Sequence, residues 1–139
     1  MRTAIDTNVL SALWGRESPA QRLAQVLDEA NRQGGVVISP VVYMEARANP
    51  YLSENDMDRF LVTMRVTVDW ILEREVWELA TERFVGYARR RRRQGGGEAR
   101  RFLADYLVAA HALVRADRLV TLDLRSYRTD FPELVLVEP

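Results

Sequence analysis

The chain contains no cysteine and no lysine. Without cysteine there are no disulfides and no thiolate metal sites, and any fold must be held by its core. Without lysine, all twenty basic residues are arginine, and they balance twenty acids to a formal net charge of zero. Whole-chain charge therefore does not advertise a polyanionic partner. Also missing is an apolar run long enough for a signal peptide or a membrane span: Met1, Arg2 and Thr3 lead straight into a short apolar segment. The expectation is a soluble, cytoplasmic protein with no membrane contact. What is present is 47% hydrophobic residues in 139, enough to bury the core of a single domain spanning 1–139.

Hydrophobic patterning organises the chain around residues 102–123. Leu103, Tyr106, Leu107, Ala110, Leu113 and Val114 recur every three or four residues, which predicts an amphipathic helix with a broad buried stripe. A polar break at 115–118 separates it from Leu119 to Leu122, an apolar run suited to a covered parallel strand. Earlier in the chain, Thr3 to Ile5 and Val36 to Ile38 read as strands, and Val66 to Trp70 as a third. Leu134 to Val137 closes the chain as a last strand. Between the strands lie helical stretches. Ser18-Pro19, Ser39-Pro40 and Ser53 supply helix starts, while Gly34-Gly35, Asn49-Pro50 and Gly95-Gly96-Gly97 supply stops. Residues 124–131 read as a polar loop. Strands alternating with helices predict an α/β three-layer sandwich, with a mostly parallel sheet of about five strands covered on both faces.

In such sheets, sites form beyond the carboxyl ends of the strands. Asp6 and Asp123 each follow a predicted strand, and Glu45 and Asp105 lie on helices flanking one. Glu45 falls on the second turn, where a helical side chain leans back toward the sheet edge. Taken singly, each acid has an ordinary reading as a helix cap, a solvated helix residue, a first-turn charge or a turn residue. Together they predict a cluster of like charges, stable only if some hold protons or a cation neutralises them. An all-oxygen set suits Mg²⁺ or Mn²⁺ rather than zinc. A divalent ion held this way activates water and shields a phosphodiester oxygen, the chemistry of metal-dependent phosphoryl hydrolysis.

The arginines are unevenly distributed. Genome base composition is sufficient to replace lysine by arginine, but not to place Arg89, Arg90, Arg91, Arg92 and Arg93 in a row with Arg100 and Arg101 close behind. These seven are candidates for binding phosphate, against the alternative of a solvated helix end that favours the dipole. His111 is expected in the core or in support of the site, and Trp14, Trp70 and Trp77 are expected to serve packing.

Asp6-Thr7-Asn8-Val9-Leu10, Glu45 within VVYMEA, Asp105 within ADYLVAAHAL and Thr121-Leu122-Asp123 resemble the PIN-domain nucleases, and in particular the VapC-like toxins of toxin–antitoxin pairs. The resemblance covers nearly the whole chain. It implies the PIN fold and a Mg²⁺- or Mn²⁺-dependent endoribonuclease with Asp6, Glu45, Asp105 and Asp123 as catalytic, metal-holding residues. Asn8 and Thr121 would support them by hydrogen bonding. The implied partners are RNA, a cognate antitoxin and a second copy of the chain. The segment DLRSYRTDFPEL departs from the better-known toxins. Two other phosphoryl-transfer classes fit worse: a haloacid dehalogenase-type phosphatase needs a second Asp where Asn8 stands, and a response-regulator receiver needs a late lysine. The serious alternative is a non-catalytic RNA- or protein-binding module retaining the PIN fold.

Overall fold

The computed structural model describes residues 1–15, 18–96 and 102–139. Five short strands, β1 (Thr3–Ile5), β2 (Val36–Ile38), β3 (Val66–Val68), β4 (Arg118–Val120) and β5 (Leu136–Val137), form one sheet in the order β3-β2-β1-β4-β5. Every neighbouring pair is parallel. All three residues of β1 and of β2 are buried, so these strands need apolar character on both faces rather than alternation. Ala4, Val37, Ile38, Leu119 and Val120 form the centre of one contiguous core.

The described helices are α1 (Thr7–Trp14), α2 (Ala20–Gln33), α3 (Pro40–Arg47), α4 (Glu54–Met64), α5 (Arg74–Arg93), α6 (Leu103–Arg115) and α7 (Arg125–Arg128). The path from β1 to β2 to β3 moves one way across the sheet, and the return from β3 to β4 to β5 moves the other way. With right-handed crossovers, α1 to α4 then cover one face and α5 to α7 the other. The packing agrees: α1 lies against α2 and α3, and α5 lies along α6. The reversal of direction falls between β1 and β4, the switch point where open α/β sheets place their sites.

Local chemistry sets most boundaries. Ser39 Oγ accepts the Val42 amide at 3.2 Å with Pro40 at the first position of α3, and Ser53 Oγ accepts the Asp56 amide at 3.1 Å. Gly35 ends α2 at φ +103°, and a Cβ on Gly34 would lie 2.2 Å from the Met1 carbonyl oxygen, so both glycines are required.

Four expectations are corrected. Ser18 does not cap α2: the cap position is Pro19, which offers no side-chain acceptor. The strand predicted over residues 66–70 ends at Val68, because the Asp69 side chain turns to His111 and Arg115. Residues 124–131 are not a loop throughout, since α7 forms within them. Leu124, Tyr127 and Phe131 sit at helical spacing, and Tyr127 and Phe131 are buried, so apolar burial overrides the polar composition. Trp77 is largely exposed, and Trp70, although exposed, packs edge-on against Tyr43, 4.8 Å between centroids; Trp14 packs edge-on against Phe60, 5.6 Å between centroids.

Candidate active site at the switch point

The centre of the site is Asp6, the residue after β1. It is 6% exposed and caps α1, its Oδ1 accepting the Thr7 amide at 2.7 Å. The other oxygen, Oδ2, accepts the Tyr127 hydroxyl at 2.6 Å, the Thr121 hydroxyl at 2.9 Å and, more weakly, the Asn8 side-chain amide at 3.4 Å. Every one of these donors is neutral. Among the described residues no arginine reaches this carboxylate, and the partners they supply are dipoles only.

Glu45 reaches the same place through Thr7, whose amide serves Asp6 and whose hydroxyl donates to Glu45 Oε1 at 2.8 Å. The placement on the second turn of α3 thus does aim this side chain at the sheet edge. Asp105, half-buried on the first turn of α6, belongs to the same electrostatic neighbourhood. The Tyr127 hydroxyl is pushed far above the ordinary phenol range by burial first, then by the charge and hydrogen bond of Asp6, and then by the charges of Asp105 and Glu45. One buried hydroxyl thus feels three carboxylates.

Asp123 is placed differently. The first residue after β4 is Thr121 rather than Asp123, because β4 ends at Val120. Asp123 is exposed in the turn before α7, accepts the Ser126 hydroxyl, and donates its amide to Thr121 Oγ at 3.0 Å. Among the described residues no three acidic or histidine side chains stand in position to chelate one ion. The four-carboxylate cluster expected from the sequence is therefore a looser arrangement of three acids around Tyr127, with the fourth bonded to Ser126 in the turn before α7. The physical reason is that like charges repel, while Asp6, Glu45 and Asp123 each accept a hydroxyl of their own. The donor chemistry nevertheless fits a hard divalent cation: oxygen ligands only, one of them a buried carboxylate that no arginine among the described residues reaches.

Asn8 and Thr121 both support the centre. Besides their bonds to Asp6, the Asn8 amide donates to Thr121 Oγ at 3.3 Å, and Asn8 Oδ1 accepts the Leu122 amide at 3.1 Å. Sequence reasoning missed Thr7 and Tyr127. Thr7 carried no signal beyond its place between Asp6 and Asn8. Tyr127 could have been found from the helical spacing of 124, 127 and 131 inside an otherwise polar stretch.

The arginine row divides. Arg90 is bound to the buried Asp130 carboxylate, which also accepts the Tyr106 hydroxyl at 2.8 Å. Arg89, Arg92 and Arg93, at spacings of three and four on α5, line one open surface hollow. Arg91 is half-buried. Arg100 and Arg101 lie outside the described residues. His111 is a core residue of α6, 1% exposed and 3.0 Å from Asp69 Oδ2. Burial holds its pKa below the usual histidine value, opposed in part by Asp69.

Comparison with known proteins agrees with this architecture. The chain resembles the VapBC2 structure of Rickettsia felis, solved bound to a DNA fragment from its promoter, at 17% identity and a TM-score of 0.68, covering 99% of this chain and 98% of the other. It resembles VapBC-1 of nontypeable Haemophilus influenzae at 20% identity and 0.67, covering 99% and 98%, and FitAcB of Neisseria gonorrhoeae at 18% and 0.66, covering 98% and 96%. No curated protein matches the sequence significantly. The family model described as PIN domain matches residues 3–132, which takes in all five elements that meet at the switch point, from β1 and α1 through α3 and α6 to α7. By that match, the chain belongs to the PIN domain family.

Proposed function

We propose that this protein is a Mg²⁺- or Mn²⁺-dependent endoribonuclease, a single-domain toxin held in check by a cognate antitoxin. The observation that carries the reading is Asp6, a buried anion at the switch point with four neutral donors and two further acids nearby. Membership of the PIN family, and likeness to the structures called VapBC and FitAcB, support the toxin and antitoxin roles.

Asp6, Glu45 and Asp105 would hold the ion, with Asp123 joining from the turn before α7. The ion supplies Lewis acidity, which lowers the pKa of a water and shields a phosphodiester oxygen. The chain's own residues do the rest. Thr7 ties Asp6 to Glu45, while Asn8 and Thr121 fix the Asp6 plane. Arg89, Arg92 and Arg93, with Arg91, Arg100 and Arg101 in the same stretch, would grip the RNA backbone and position the strand without reading its sequence, while Arg90 is held by Asp130. Exposed apolar side chains such as Trp77 and Leu103 suit a homodimer, which light scattering would test. Among the described residues no helix is long and apolar enough to cross a membrane, in keeping with a cytoplasmic place.

A second reading, a binding module that keeps the fold without catalysis, is favoured by the dispersed carboxylates. One experiment separates the two: cleavage of structured and unstructured RNA with Mn²⁺ titrated, and Asp6→Asn as control. Metal-dependent cleavage lost in the variant supports the nuclease; no activity by the parent at any metal concentration supports the module, and equal cleavage by variant and parent overturns the role of Asp6.

A further inference from the structure

We propose that Tyr127 is a positioning residue that confines Asp6 to offering a cation one oxygen, and so favours small octahedral ions over calcium. This rests on the reading of Asp6 as a metal ligand. A carboxylate has about four lone-pair sites, two on each oxygen. On Oδ2 the Tyr127 and Thr121 hydroxyls, at 2.6 and 2.9 Å, occupy both, and the Asn8 amide at 3.4 Å crowds the same atom. On Oδ1 the Thr7 amide occupies one site at 2.7 Å. A single lone pair on Oδ1 remains.

Tyr127 is suited to enforce this. Its ring is 1% exposed on α7, which packs against α6, so the hydroxyl cannot swing aside without opening the core. Bonds donated to a ligating carboxylate orient it, and their loss weakens metal affinity tenfold or more in known sites. The oxygen they block also decides which ion fits. Calcium takes six to eight oxygens and accepts both atoms of a carboxylate, whereas magnesium and manganese take six ligands at shorter range and work with one. Removing the hydroxyl frees a lone pair on Oδ2, permitting the bidentate mode while loosening the plane of Asp6.

The test is isothermal titration of the metal-free full chain with MnCl₂ and with CaCl₂, for the parent, Tyr127→Phe and Thr121→Val, each checked for fold by circular dichroism. Tyr127→Phe is expected to weaken Mn²⁺ binding about tenfold while leaving Ca²⁺ binding equal or tighter. The preference for Mn²⁺ then narrows by about the same factor. Thr121→Val removes the other hydroxyl from the same oxygen without touching the buried ring, and is expected to narrow it too, which keeps the test valid if Tyr127→Phe folds poorly. A merely structural role would lower the melting temperature and leave the ratio of the two affinities where it was. An unchanged ratio in the folded variants overturns the role of Tyr127 alone. No Mn²⁺ binding by the parent overturns the metal reading of Asp6, and this inference with it.

Discussion

Two aspartates in this molecule are buried to nearly the same degree and treated in opposite ways. Asp130, 5% exposed, accepts a tyrosine hydroxyl and the Arg90 guanidinium. Asp6, 6% exposed, accepts a tyrosine hydroxyl, a threonine hydroxyl and two amides, and among the described residues no cation. Burying a carboxylate costs several kcal/mol unless a positive charge offsets it. At Asp130 the fold supplies that charge itself, and the acid ties α5 to α6 and the segment after α7. At Asp6 the fold supplies only orientation. The difference separates an acid whose charge the fold itself offsets from one whose charge, under the proposed function, a bound cation would offset, although both are equally hidden.

Exchanging the carboxylate for an amide should break the comparison cleanly. Asp6→Asn is expected to cut Mn²⁺-dependent RNA cleavage by about a thousandfold or more, the scale on which losing one member of a catalytic set acts. Its thermal stability should be equal or higher, because an uncompensated buried charge is gone. Single-turnover cleavage and a thermal melt measure both. Asp130→Asn should do the reverse, destabilising the fold by about 2–3 kcal/mol and lowering the melting temperature by roughly 5–10 °C, with Mn²⁺ affinity unchanged by calorimetry. If the two substitutions lose stability and metal binding in parallel, the distinction fails.

A third acid lies between these cases. Asp69 bonds to His111 and Arg115; burial works to raise its pKa, but those two bonds outweigh it and hold it below the ordinary value. His111 faces Asp69, Arg115 and Arg2, and burial keeps it below 6.5. A depressed histidine binds fewer protons folded than unfolded, so stability declines as pH falls below about 6.5. Asp69 contributes separately, its stabilisation persisting to below 3.8. The melting temperature should therefore drop by a few degrees between pH 7.5 and 5, and His111→Gln should flatten that slope. An equal slope in parent and variant assigns the decline to other groups. The smallest effect is expected on the arginine face. Replacing Arg89, Arg92 and Arg93 by Ala should reduce the salt slope of RNA binding by about 2, with single-turnover cleavage at saturating RNA nearly unchanged. An unreduced slope would place the backbone contacts elsewhere.

The sequence was sufficient for the strands and for most helix ends, because these depend on local chemistry: buried apolar triplets such as Val36 to Ile38, serine caps at 39 and 53, and the glycines at 34 and 35. It also placed Asp6 at the end of β1 and Glu45 on the right turn of α3, since strand ends and helical phase can be read from spacing. The family followed from motifs whose order along the chain is itself local information. Tertiary structure alone decided which acids meet. Thr7 joining Asp6 to Glu45 spans 38 residues, and Tyr127 reaching Asp6 spans 121; no periodicity encodes either. It also decided that Asp123 turns to Ser126, and that one arginine of five in a row is bound to Asp130. Hydrogen-bond partners of buried charge are set by packing between distant segments, and a linear pattern carries the charges without their partners.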